Sequence, residues 1–153
     1  MALVEVDERS GSPVDVDSLV ALARFLLERL GLHPDTELSI SLVDPEEMEQ
    51  LHQRWLGLPG PTDVLSFPMD ELRVPSPGEQ PEPGVLGDVV ICPQVALQQG
   101  AEAGHGLAAE LELLLTHGIL HLLGHDHAEP EEHALMFGLQ DELLRAWRGH
   151  REA

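Results

Sequence analysis

Residues 107–127 read LAAELELLLTHGILHLLGHDH, and the run up to Leu123 decides the fold. Apolar residues recur on nearly every side of a helix laid over 107–123, so that helix is central and covered by the rest of the chain. Working outward, residues 86–92 (LGDVVIC) and 63–67 (DVLSF) read as strands, with Pro93 opening a short helix between 92 and the central one. Residues 37–43 (ELSISLV) and the opening ALVEVDE alternate apolar with polar, as half-buried strands do. Leu19, Leu22, Ala23, Leu26, Leu27 and Leu30 fall on one helical face, with Asp15 or Asp17 as cap and Gly31 as stop. Asp44-Pro45 caps and opens a further helix that runs to about Leu56, where GLPGP ends it. Residues 70–84, rich in proline, read as a surface loop, and 129–147 as the last helix. The expectation is an α+β fold in a single domain spanning 1–153. It has about four strands in a mixed sheet covered by about five helices, with a metal site at the end of the central helix.

That metal site is the sharpest local reading. His117 and His121 are four apart and so lie one turn above each other on the same helix face. Gly124 can take the left-handed conformation that ends a helix, and the reversed chain brings His127 back to the same point. Clustered histidines on an apolar helix, left without a partner, would carry an uncompensated polar cost. Three neutral imidazoles suit one zinc ion per chain, and they leave a coordination position open for water, as catalytic zinc sites do. The same spacing occurs in metzincin proteases, where the residue after the first histidine is a glutamate acting as general base. Here it is Gly118, so a peptidase of that scheme is disfavoured.

Composition bounds the partners. The chain has 153 residues, 42% of them hydrophobic, which suits a globular protein. Twenty-eight acids face eight arginines and no lysine, a formal charge of −20 that repels nucleic acid at long range. An RNA substrate therefore has to be met by local arginine, metal and backbone donors. No run is apolar enough for a membrane span, the start lacks the pattern of a signal peptide, and one cysteine excludes an internal disulfide. A cytoplasmic protein is expected.

The histidine block resembles the hallmark HGxLHLxGyDH of the YbeY family, with His125 where that family often has tyrosine. Two more blocks of the family stand intact, PTDVLSFP at 61–68 and LGDVVIC at 86–92, and the likeness extends over about 35–145. The resemblance implies a cytoplasmic, zinc-dependent endoribonuclease that cuts single-stranded RNA. It further implies work on the 3′ end of small-subunit ribosomal RNA and in ribosome quality control, with ribosomal proteins or assembly factors as partners. His117, His121 and His127 would hold the zinc. The sequence departs from the family at His52 and Leu56, where asparagine and arginine are common.

Further residues carry two readings each. Asp126 can orient a ligand or act as the base that Gly118 cannot be, and can equally accept backbone hydrogen bonds in the turn. Arg54 and Arg73 are candidates for holding phosphate in place of the arginine missing at 56, with an ion pair to Glu47 as the alternative for Arg54. Asp63, Ser66 and Asp88 read as parts of the scaffold, and Cys92 as a small core residue. His105, His133 and His150 read as surface residues, and Arg145, Arg148 and Arg151 as cations at a helix C-terminus. Three functions compete: hydrolysis of RNA phosphodiesters, peptide or amide hydrolysis, and a non-catalytic ribosome-assembly module with a structural metal.

Overall fold

A computed structural model describes residues 1–125 and 128–152. Along the chain run β1 (Leu3–Glu8), α1 (Val16–Arg29), β2 (Glu37–Leu42), α2 (Pro45–Leu56), β3 (Val64–Pro68), β4 (Val85–Ile91), α3 (Pro93–Glu102), α4 (Leu107–Leu122) and α5 (Pro130–Glu152). The four strands form one sheet in the order β1-β2-β4-β3. β1, β2 and β4 are parallel, and β3 is antiparallel to β4, so the sheet is mixed as expected. This is a single-domain α+β fold.

The sheet separates two cores of unequal size. Leu38, Ile40 and Leu42 of β2, with Val89 and Ile91 of β4, point to the side of α1 and α4 and join the larger core. Leu65 and Val90 point the other way and pack with Val43, Met48 and Leu51 against α2. α4 touches α1, α3, α5, β3 and β4, which is why its sequence is apolar on nearly every side. Asp15 is the cap of α1, its side chain accepting from the Ser18 N–H at 3.1 Å, and Asp44 caps α2 in the same way from Glu47 at 2.8 Å.

Two glycines let β3 come close to its neighbours. Gly87 on β4 has φ 143°, and a Cβ there would stand 2.3 Å from the Phe67 carbonyl oxygen. Gly118 on α4 lies against β4, where a Cβ would be 2.8 Å from Val89 Cγ1. The Ser66 hydroxyl donates to the Gly118 carbonyl at 3.0 Å, tying β3 to α4.

One expectation changes, and the surface loop expected at 70–84 proves to be anchored. The last helix continues past Trp147 to Glu152, because its final turns are held: Arg151 reaches Glu112 on α4, and the His150 ring lies 5.0 Å from Phe25 on α1. The 70–84 segment has no regular structure, yet it is anchored. Leu72 and Val74 pack on the larger core, Asp70 accepts from the Val85 N–H at 2.7 Å, and Arg73 pairs with Glu79.

Candidate metal centre

The end of α4 is built to turn the chain back. Gly124, at φ 93°, donates to the His121 carbonyl at 3.0 Å, and the next N–H, of His125, donates to Leu120 at 3.0 Å. That pair of bonds is a Schellman ending, which satisfies carbonyls the helix leaves open and reverses the direction of the backbone. Asp126 and His127, which follow, lie outside the described residues.

His117 and His121 face a cleft of about 660 Å³ between α4, β3 and the start of α5. Their Nε2 atoms stand 3.1 Å apart, with the rings roughly perpendicular at 78°. Two imidazole nitrogens on one tetrahedral zinc, each at about 2.0–2.1 Å, are about 3.3–3.4 Å from one another. The observed separation is therefore within a few tenths of an ångström of the one that two imidazoles sharing an ion would show. On the far side of the His117 ring, Nδ1 donates to Gln140 Oε1 at 2.9 Å. This hydrogen bond places the proton on Nδ1 and leaves the Nε2 lone pair for a metal. The donor chemistry fits zinc. Among the described residues no third His, Cys, Asp or Glu completes the set.

The cleft is mostly apolar, walled by Leu113, Leu114 and Phe137, with the half-exposed Leu56 also in its lining. Its other polar groups are Asp63, Ser66, Glu110 and Gln140. Asp63 is partly committed to the scaffold, since Oδ1 accepts from the Val64 N–H at 2.8 Å. Ser66 is held by the Gly118 carbonyl. Glu110, although only 5% exposed, reaches this cleft, and one of its oxygens bonds His105 Nε2 at 2.6 Å. His105, with a side chain 36% exposed, is accordingly a surface residue that pairs with the buried Glu110.

Sequence reading missed Gln140 and Glu110. Gln140 was visible as a polar residue on the buried stripe Met136, Gln140, Leu143, Leu144 and Trp147 of α5. Glu110 was visible as an acid seven residues before His117, on nearly the same face of an apolar helix.

Neither proposed arginine lines the cleft among its described residues. Arg54 is exposed on the last turn of α2, its guanidinium 5.4 Å from the centroid of the Trp55 ring. Its expected partner Glu47 is taken by Arg9. Arg73 belongs to a different pocket, with Leu32 and His33. His52 holds the GLPGP segment, its Nδ1 2.9 Å from the Gly60 carbonyl. Arg151 does more than complement the α5 terminus, since it pairs with the buried Glu112 at 3.1 Å. Cys92 is fully buried at the start of α3, and that burial pushes its thiol up, away from the reactive thiolate. Asp88 stands on the opposite sheet face, outside this cleft.

Comparison with known proteins agrees with this architecture. A family model described as Endoribonuclease YbeY matches residues 6–148. A protein named endoribonuclease YbeY from Thermobifida fusca is 61% identical over 145 residues, which cover 95% of this chain and 94% of that protein. Its namesake in a Nocardioides species is 60% identical over 145 residues, with 95% and 97% covered. The solution structure of TM1509 from Thermotoga maritima superposes with a TM-score of 0.59 at 25% identity, covering 98% of this chain and 93% of that one. The match spans the sheet, the central helix and the histidine cleft together, and the chain belongs to the endoribonuclease YbeY family.

Proposed function

We propose that the chain is a zinc-dependent endoribonuclease that cuts single-stranded RNA at the cleft below His117 and His121. The observation that carries the reading is the 3.1 Å approach of the two Nε2 atoms, with Gln140 fixing the His117 tautomer, in a chain of the YbeY family. His127 is the third ligand in this reading. Bound zinc supplies Lewis-acid stabilisation of the negative charge that develops on a phosphoryl oxygen. The apolar walls seat the scissile nucleotide, and Asp126 would take the proton of the attacking water as the P–O bond to the leaving oxygen breaks and then return it to that oxygen. Arg54, over the Trp55 ring and outside the cleft lining, supplies the fixed cation for a flanking phosphate of a strand that leaves the cleft. By the same family likeness, the substrate is the 3′ region of small-subunit ribosomal RNA. The setting is cytoplasmic maturation and quality control of ribosomes, with ribosomal proteins or assembly factors as partners. No helix among the described residues is long and apolar enough to cross a membrane.

One experiment separates this reading from its rivals. Zinc-loaded protein is incubated with single-stranded RNA, duplex RNA and casein, beside His121→Ala and His105→Ala variants whose zinc content and melting temperature are measured. Cleavage of single strands alone is expected, and His121→Ala should lose the zinc, the activity and the zinc-induced rise in melting temperature. His105→Ala should keep its zinc. Cleavage of casein, or stoichiometric zinc in His121→Ala, would overturn the assignment.

A further inference from the structure

Exposed apolar side chains gather beside the histidine cleft. Trp55 is 58% exposed and Leu56 55% on the last turn of α2, and Met69, just past β3, is 64% exposed. Leu56 lines the cleft itself, whereas Trp55 and Met69 line a groove on the open face of the sheet. Phe67 borders both, and its ring meets Trp55 edge-on at 6.0 Å and 63°. A strand leaving the cleft across Phe67 therefore meets the Trp55 indole next.

The charges restrict what can rest there. Arg54 lies over Trp55 and has no carboxylate partner among the described residues, so it offers a cation to a phosphate. Beyond the indole the groove carries Glu5, Asp7, Glu47 and Asp88, with only Arg9 against them, and Arg9 is already paired to Glu47. A phosphate chain running along that floor would be repelled. One nucleotide at the lip is accommodated, and a strand laid through the groove is not. An aromatic face beside an arginine is the recurring way in which proteins hold unpaired bases without reading their sequence.

We propose that Trp55 is a stacking platform for the nucleobase adjacent to the one at the histidine cleft, and that this contact selects unpaired RNA. A base inside a duplex has both faces stacked and cannot use the platform. The inference rests on the endoribonuclease reading, but its test does not require cleavage.

The two tryptophans make the platform directly readable, because Trp147 is buried at 4% exposure. Metal-free full-length protein is titrated with a short labelled single-stranded RNA and with the matched duplex, following tryptophan emission and RNA anisotropy together. Single strands are expected to quench the emission and duplex to leave it unchanged. Trp55→Phe should bind single strands nearly as well and lose the quench. Trp55→Ala should bind about ten-fold more weakly, as the loss of one stacked base predicts. In the metal-loaded enzyme it should raise KM by a similar factor, with a much smaller effect on kcat. A thermal melt checks that each variant folds. Quenching that survives in Trp55→Phe, equal quenching by duplex, or an unchanged KM and affinity in Trp55→Ala each overturn the proposal. A chain that cuts no RNA yet shows the Trp55-dependent quench would instead overturn the hydrolase reading alone.

Discussion

In the proposed zinc site the two ring nitrogens of His117 would have separate tasks, and Gln140 is what would separate them. Nδ1 donates to the Gln140 side chain at 2.9 Å, and Gln140 is itself 3% exposed, so the acceptor is held where water cannot replace it. Replacing it with leucine keeps the bulk and removes the acceptor. We expect Gln140→Leu to weaken zinc binding about 10–100-fold, the usual cost of losing the group that orients a ligand, with Gln140→Glu restoring much of it. Competition with a chromophoric chelator measures this, and equal affinity in all three proteins would remove Gln140 from the site. Gly118 illustrates a different point. That a glutamate is missing after His117 was legible in the sequence, but the reason was not. The position faces β4, with Val89 Cγ1 2.8 Å from where a Cβ would sit and Ser66 Oγ 3.2 Å away. Any side chain there is driven into the sheet, so the general base has to come from elsewhere.

Among the elements, α4 and α5 are joined by a buried carboxylate as well as by the His117–Gln140 bond. Glu112 Oε2 accepts from Trp147 Nε1 at 2.9 Å and from Arg151 Nη1 at 3.1 Å. The indole is buried, while the Arg151 side chain is 54% exposed, so the two bonds are unequal in consequence. Glu112→Ala leaves a buried donor unsatisfied and should cost about 2 kcal/mol of stability. Arg151→Ala removes a largely solvated cation and should cost less than about 1 kcal/mol. Urea unfolding of both variants decides, and equal losses would mean that the ion pair, not the indole bond, ties the helices. This contact also explains why α5 runs past the end that its apolar periodicity predicts. Periodicity could reach Trp147, the last apolar residue of the stripe, but the turns beyond it exist because of partners on α1 and α4 that are distant in sequence. The starts of α1 and α2 were legible because the capping aspartates lie next to the helices they begin.

For the molecule as a whole, the pattern of strands and helices was open to reading, since alternation in 37–43 and the apolar run of 107–123 report local burial. The pairing order β1-β2-β4-β3, the placing of Phe67 between two clefts, and the His105–Glu110 contact were not, because nothing in the local pattern encodes which strand lies beside which. Charge is the molecular property that most constrains the proposed activity. Of the eight arginines, Arg9, Arg73 and Arg151 are bound to carboxylates. In the proposed complex, Arg54 over the Trp55 ring is the fixed cation that an RNA strand leaving the cleft would meet, and stacking and the metal would supply the remainder of its hold. Binding of single strands releases counterions in proportion to the phosphates neutralised, with a slope of log affinity against log salt of about −0.7 for each. With one or two phosphates engaged, the slope for metal-free protein should lie near about −1, and Arg54→Ala should flatten it further. A slope steeper than about −3 would require a broader cationic surface. The groove between α1 and the N-terminus, with Arg24, Arg29, His33 and His150 along it, would then be the place to look.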